Sequence, residues 1–277
     1  MNKRAALVTG ASSGIGFEVA RDLAAKGFAV YAGARRVERM EPLKRLGITV
    51  LALDVTDDQS MAAAVAAVEA DHGQVDVLVN NAGYGSYGSV EEVPLAEGRR
   101  QFEVNVMGLA RMCQLVIPGM RRTGAGRIIN ISSIGGKMYE PLGAWYHGTK
   151  FAVEGMSDSL RLELKPHGID VVIIEPAGTE SEWGTIAGEA LLYRSGDGPY
   201  GPQAHVVANA LASTSGHVLA TPSRVVSQAV VRAATAKRPR TRYPVGRGAW
   251  SVLALRRILP DRIFDRVLGS LYQRLGS

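Results

Sequence analysis

The chain of 277 residues has a single cysteine, Cys113. No intramolecular disulfide can form, and a lone thiol has no partner at metal-ligand spacing. Cys113 reads as core filler on a helix, and its isolation fits a reducing compartment. No apolar run reaches the ~20 residues needed to span a bilayer. No secretory pattern opens the chain: Met1–Arg4 is charged, and the apolar run behind it meets Gly10. A soluble, cytoplasmic protein is expected. Aromatic residues make up only 6% of the chain, with little interleaving of cations. Together with the lack of a recognisable nucleic-acid module, this argues against a nucleic-acid partner. There is no internal repeat, and no linker before residue 176.

What is present is apolar substance and glycine: 46% hydrophobic residues and 32 glycines. That is enough for one large core. The reading is one domain over 1–277, with a substrate-binding segment at 180–220 and a C-terminal helical extension at 249–277. Charge is uneven. From Thr221 to Ser277 there are 12 Lys and Arg against 2 Asp, a net +10 that leaves −4 for the first 220 residues. A solvated rim or a subunit contact is the expected use of this basic tail, within a homo-oligomer.

The order of elements is informative. Ala5–Thr9 is a short apolar strand running into TGASSGIG, Thr9–Gly16. A helix follows, with Phe17, Ala20, Leu23 and Ala24 on one side and a stop at Gly27. Gly10 permits a tight turn, while Gly14 and Gly16 let a cofactor approach the backbone closely. Ser12, Ser13 and Ile15 complete the loop, and the helix N-terminus suits a pyrophosphate. The second strand, Phe28–Gly33, ends in Ala34-Arg35-Arg36. An acidic residue at this end would bond a ribose 2′-hydroxyl, whereas arginine accommodates a 2′-phosphate. NADP is the expected cofactor. The third strand, Ile48–Leu53, runs into Asp54 and Val55. The Asp54 carboxylate suits an adenine amino group or, alternatively, helix capping before the alanine-rich run from about Asp57 to His72. The fourth strand, Val75–Val79, leads into Asn80-Asn81-Ala82-Gly83, which suits a wall beside a nicotinamide ribose. Leu95–Arg122 reads as one helix with Asn105 on its apolar face, either as a helix–helix hydrogen bond or as a kink that holds a water. Gly126–Ile131 and Ile169–Glu175 are the fifth and sixth strands. Alternating strands and helices predict an α/β fold with a doubly wound parallel sheet of seven strands, Rossmann-like.

The fifth strand delivers Ser133, thirteen residues before Tyr146. Tyr146 and Lys150 are one helical turn apart on a shared face. A tyrosine hydroxyl titrates near ~10, and an ammonium held beside it is expected to lower that value. The pair suits general acid–base work near neutral pH, with Ser133 holding a carbonyl or alcohol oxygen.

TGASSGIG, NNAG, the helix carrying Asn105, Ser133 and the Tyr146/Lys150 pair occur in the order and spacing of the short-chain dehydrogenase/reductase family. The chain resembles that family, in its shorter form, over about residues 5 to 180. The resemblance implies that Tyr146 exchanges the proton. Lys150 would lower its pKa and bond the nicotinamide ribose, Ser133 would orient the substrate oxygen, and Asn105 would anchor a relay water. Two departures stand out. Ser13 occupies a position where the NADP-preferring branch often has a second basic residue. Pro176-Ala177-Gly178 displaces the usual glycine by one, leaving Thr179 and Ser181 as alternative hydroxyls for the carboxamide. Trp183, Tyr193 and Tyr200, with Met138, Tyr139, Leu142 and Trp145, are expected to line an apolar pocket. This is similar to the retinol and 17β-hydroxysteroid dehydrogenase-like branch. The expectation is NADP(H)-dependent hydride transfer between nicotinamide and a lipophilic ketone or secondary alcohol. The alternatives are a non-catalytic dinucleotide-binding regulator and an epimerase or dehydratase. Near the C-terminus, Ile263, Phe264, Val267, Leu268, Leu271, Tyr272 and Leu275 form an apolar stripe. Core or interface packing is the expected use of that stripe, with peripheral membrane contact as the alternative.

Overall fold

The computed structural model describes residues 3–180, 183–215 and 220–276; Ser181 lies outside them. Seven strands form one parallel sheet: β1 Ala5–Thr9, β2 Ala29–Ala34, β3 Thr49–Ala52, β4 Val77–Asn80, β5 Gly126–Ile131, β6 Ile169–Pro176 and, after a separate two-stranded ribbon, β9 Arg242–Val245. Their order is β3-β2-β1-β4-β5-β6-β9. The ribbon pairs β7 (Thr179–Glu180) with β8 (Thr221–Pro222), also in parallel. The fold is α/β and doubly wound. The chain reverses its direction of winding between β1 and β4, so a crevice opens beyond the C-terminal ends of those strands.

Strand residues alternate between two buried faces, as a sheet covered on both sides requires. Ala6, Val8, Val77 and Val79 join one core cluster with α1 (Gly14–Ala25), α2 (Glu41–Lys44) and α9 (Ser223–Thr235). Ala5, Leu7 and Leu78 face the other way. They pack on α3 (Asp58–His72), α5 (Gly108–Thr123) and α6 (Ala144–Leu164). Amides also cross that second layer. Asn80 and Asn130 stand opposite each other on β4 and β5. Asn80 Nδ2 donates to Asn130 Oδ1 at 3.0 Å, and Asn130 Nδ2 donates to Ser157 Oγ of α6 at 2.9 Å. These groups are fully buried and satisfied by one another, which pins α6, the bearer of Tyr146, to the sheet.

One expectation is corrected by a break in regular structure, and two segments gain detail. The helix foreseen over Leu95–Arg122 is α4 (Leu95–Phe102) and α5, joined by a π-turn at Glu103–Met107 that contains Asn105. The segment expected at 180–220 carries α7 (Trp183–Ser195) and α8 (Gly201–Ser215). The C-terminal extension is two helices, α10 (Ala249–Ile258) and α11 (Asp261–Gly276), divided at Pro260. Proline lacks the amide hydrogen that would carry the first helix onward. Among the described residues, no helix is long and apolar enough to cross a membrane.

Candidate active site

Residues from the glycine-rich loop, the β4 exit, Ser133 and the β6 exit meet at the C-terminal edge of the sheet. Gly10 has φ +67° and turns the chain out of β1. Gly16 was expected to let backbone and cofactor approach closely, and the chain's own backbone does approach it closely. A Cβ built there would lie 2.4 Å from the Gly10 carbonyl oxygen and 2.5 Å from Asn81 Nδ2. What approaches Gly16 is the chain itself. Asn81 Nδ2 donates to the carbonyls of Thr9 and Gly10 at 3.0 and 3.1 Å. The Asn81 and Ala82 amides donate to Thr9 Oγ1, both at 3.0 Å. Asn81 is thus a strap between β1 and β4, at the exit expected to wall a nicotinamide ribose, and it fixes the turn into the glycine-rich loop. There Ser12, Ser13, Gly14 and Ile15 are half-buried. Ser13 precedes α1 in extended conformation and makes no side-chain cap. The first-turn amides of α1 therefore lack the capping acceptor that a serine usually supplies.

At the ends of β2 and β3, Ala34 is buried while Arg35 and Arg36 are exposed. Asp54 accepts from the Thr56 amide at 3.0 Å and from Thr56 Oγ1 at 2.8 Å. Burial pushes its pKa upward. The Thr56 hydrogen bonds and the cations Arg35 and Arg100 outweigh that, so the carboxylate stays below its ordinary value. Asp57, not Asp54, caps α3 by accepting from the Gln59 amide. Val55 turns into the core against α5, and Gly108 packs on its carbonyl, so its side chain faces away from the crevice.

Asn105 was expected to bond another helix or to hold a water at a kink. Its side chain does the first, and the π-turn supplies the irregularity. Nδ2 donates to the Tyr84 carbonyl at 2.9 Å and to Thr149 Oγ1 of α6 at 3.1 Å, while Oδ1 accepts from the Tyr84 amide at 3.0 Å. Both amide hydrogens are committed, and they fasten the loop after Gly83 to the helix of Tyr146. At the β6 exit, Ala177 donates to the Val245 carbonyl at 2.8 Å and Gly178 accepts from the Thr221 amide at 2.9 Å. Thr179 Oγ1 reaches the Ala177 carbonyl at 3.0 Å.

Tyr146 is buried and hydrogen-bonded to Ser133. Ser133 Oγ also accepts from the Gly135 amide at 3.0 Å and lies 3.4 Å from the Pro176 carbonyl. Lys150 is buried on the same face of α6. Its Nζ donates to the Ile131 carbonyl at 2.9 Å and stands 5.9 Å from the Tyr146 ring centre. The expected lowering of the Tyr146 pKa is reversed. Burial raises it well above the ordinary tyrosine value, and the Ser133 hydrogen bond only partly opposes that. The phenol therefore holds its proton. The desolvation acts on Lys150 as well, pulling its pKa down to about 8 against the field of Glu154. Behind Lys150, Arg242 binds Glu154, Asp158 and Glu175 at 3.1, 2.6 and 3.4 Å. Lys137 adds a contact to Glu154 at 3.3 Å. Glu175 is pushed up to about 7, first by burial and then by Glu154.

The wall around Tyr146 differs from the one foreseen. Trp183 lies 5.0 Å from its ring centre, His147 5.5 Å and Tyr87 5.9 Å. Leu142 packs with them, in a left-handed conformation at φ +61° that costs an L-residue roughly 1–2 kcal/mol. The Leu142 carbonyl accepts from the Gly88 amide at 2.8 Å, which holds it there. Met138 packs instead with Phe264 and Leu268 of α11. Tyr139 stacks edge-on with Phe264 and donates to Asp265. Trp145 covers Gly98 of α4, Tyr193 is 91% exposed and Tyr200 donates to Glu91. Of the seven foreseen pocket residues, only Leu142 and Trp183 join the Tyr146 cluster. Tyr87, Glu140, His147 and Tyr272 were not foreseen. Glu140 accepts hydrogen bonds from both Tyr87 and Tyr272, which ties α11 to the cluster. The sequence signal for His147 was its place next to Tyr146 on the same helix.

Known proteins resemble this chain in sequence and in fold. A family model described as short chain dehydrogenase matches residues 4–189. YusZ, an uncharacterised oxidoreductase of Bacillus subtilis, is 36% identical over 277 residues, covering 97% of this chain and 98% of its own length. A 3-ketodihydrosphingosine reductase of Bacteroides thetaiotaomicron is 41% identical over 177 residues, 64% of each chain. A metagenomic short-chain oxidoreductase solved in complex with NADP superposes with a TM-score of 0.69 at 27% identity, covering 87% of this chain and 95% of that one.

Proposed function

This chain belongs to the short-chain dehydrogenase/reductase family, and from that premise we propose that it interconverts a lipophilic ketone, steroid- or retinoid-like in bulk, and its secondary alcohol with NADP(H). An oxidoreductase using a nicotinamide dinucleotide is the coarser statement, and it follows from the family. The observation that carries the finer one is the Ser133–Tyr146 hydroxyl pair beneath the apolar wall of Trp183, Tyr87 and Leu142. It is one polar locus in a greasy surround.

The chain's residues fit a dinucleotide. The uncapped start of α1 offers backbone amides to a pyrophosphate. Exposed Arg35 and Arg36 beside buried Ala34 offer guanidinium groups to a 2′-phosphate. Lys150, Pro176, Gly178 and Thr179 border the place for the nicotinamide end. The bound nicotinamide supplies or accepts the hydride. In this reading Tyr146 gives its proton to a carbonyl oxygen during reduction and takes it back during oxidation. Ser133 holds that oxygen in reach. Lys150, near its own titration point, replenishes the phenol with charge support from Glu154. Water-holding near Lys150 falls to the main chain of the π-turn, because the Asn105 amide is already committed. Segment 180–220, here α7 and α8, forms the substrate side, within one domain over 1–277. The 3-ketodihydrosphingosine reductase relative supports a lipid ketone as substrate class.

The test is a panel of lipophilic and small polar ketones and alcohols with both cofactors. The expected result is stoichiometric loss of NADPH absorbance with bulky apolar ketones. Cofactor binding without turnover across the panel would favour the regulator reading. Turnover with no net NADPH change would favour epimerisation or dehydration. For the cofactor, NADPH should be preferred about tenfold, the value of one charge-assisted contact of roughly 1.4 kcal/mol. Ala34→Asp should reduce or reverse the preference. A wild-type preference for NADH would show that Arg35 and Arg36 do not read the 2′-phosphate.

A further inference from the structure

We propose that the helical pair α10–α11 docks the protein onto an anionic bilayer surface. The apolar stripe foreseen along α11 divides into two rows. Phe264 and Leu268 are buried against Met138, and Tyr272 packs toward the Tyr146 cluster. Ile263, Val267 and Leu271, at successive four-residue steps, are 46, 45 and 44% exposed. On α10 the outward face carries Trp250, Leu255 and Ile258, with Trp250 and Ile258 the most open at 66 and 77%. A helix on a protein surface ordinarily shows water its polar side. Here two consecutive helices show it tryptophan and branched aliphatics.

The cations complete the pattern. Arg257 on α10 and Arg262 and Arg266 on α11 are exposed, and among the described residues none of the three has an ion-pair partner. The two acids of this region are engaged elsewhere: Asp261 pairs with Arg256 at 2.9 Å, and Asp265 accepts from Tyr139 at 2.9 Å. By helical phase, Arg262 and Arg266 run alongside the Ile263–Val267–Leu271 row. An apolar strip with guanidinium groups at its border is the chemistry of a helix lying in the headgroup boundary. The same charges argue against a second copy as the occupant. An isologous contact through this face would bring one copy's cationic border onto the same cationic face of the other. Any homo-oligomer would use other surfaces. The inference stands on this surface alone and is independent of the substrate assigned above. Tyr272, which faces inward from α11, brings the docked helix against the Tyr146 cluster.

The experiment is co-sedimentation of the full chain with phosphatidylcholine vesicles, with and without phosphatidylglycerol, at low and high salt. Binding should require phosphatidylglycerol and weaken with salt. Each arginine near an anionic surface contributes roughly fivefold. The triple variant Arg257→Gln/Arg262→Gln/Arg266→Gln should therefore lose about 10²-fold in partition coefficient. Trp250→Ser/Ile258→Ser, at sites too exposed to disturb folding, should also lose binding. Equal partition onto neutral and anionic vesicles, or an unchanged triple variant, would overturn the proposal. So would an oligomer, seen by sedimentation equilibrium, that dissociates in Trp250→Ser/Ile258→Ser, because a second copy would then occupy the face.

Discussion

The crevice has two sides held by different means. On the glycine-loop side, main chain meets main chain: Gly16 sits against the Gly10 carbonyl, and Asn81 straps β1 to β4 through carbonyls and amides. On the tyrosine side, side chains meet side chains across long separations. Trp183, Tyr87 and Leu142 close on Tyr146, and Glu140 gathers tyrosines from two distant segments. The first arrangement suits a partner whose shape never varies, such as a pyrophosphate. The second can be re-cut residue by residue without disturbing the sheet, as a substrate wall must be if one fold is to serve many reactions.

That contrast can be broken by substitution. The largest effect is expected on the tyrosine side. Tyr146→Phe should lower kcat by roughly 10²–10⁴-fold, the worth of a general acid–base group, with cofactor affinity unchanged by fluorescence titration. Near-normal turnover would remove Tyr146 from the chemistry. On the glycine side, Gly16→Ala forces a methyl into a backbone carbonyl that cannot swing away. Overpacking of this kind costs about 3 kcal/mol, to be read from the urea midpoint. An unchanged midpoint would mean that the loop yields, and the rigid half of the comparison would fall.

Glu175 sharpens the comparison through pH. Its carboxyl titrates at about 7, against an ordinary 4.5, so between those values the folded state holds a proton that the unfolded state has released. Its contribution to stability is present in acid and lost as pH rises through 7. Glutamine does not titrate. Glu175→Gln should therefore gain about 3 kcal/mol on wild type between pH 4.5 and pH 8, measured by denaturant titration at both. A pH-independent difference would mean that Arg242 already neutralises Glu175. The smallest effect belongs to Tyr272→Phe, which removes one hydrogen bond to Glu140. It should cost about 1 kcal/mol and lower amide protection along α11 while leaving the glycine loop untouched. Equal loss of protection on both sides would show the crevice to be one cooperative unit.

The sheet was legible because buried parallel strands are short apolar runs with glycine or asparagine at their exits, as AALVT before Gly10 and VLVN before Asn81 are. The convergence of Gly10, Ser133, Tyr146 and Lys150 followed from where strands must end. What escaped was whatever depends on pairs remote in sequence. Nothing near Glu140 announces Tyr272, and nothing near Glu175 announces Arg242. Helices α7 and α8 escaped because their glycines, serines and small residues give no one-sided apolar stripe. The direction of the Tyr146 pKa escaped because adjacency to Lys150 was visible in the sequence and the depth of burial was not. The start of α3 near residue 57 was legible, but the cap was sought at Asp54, three residues too early, and Asp57 supplies it.

The π-turn at Glu103–Met107 gives this chain a reading frame. A π-turn holds one residue more than the α-helical path it replaces, so everything after it is rotated by about 100° relative to α4. Asn105 meets Thr149, and Met112, Cys113 and Val116 meet the sheet, only while that extra residue is present. Substitutions within 103–107 can be judged one side chain at a time. Deleting any one of the five would let the helix run straight, turning α5 to present the wrong stripe to the core. Lineages of this chain should therefore tolerate exchange in this stretch far better than a change of length.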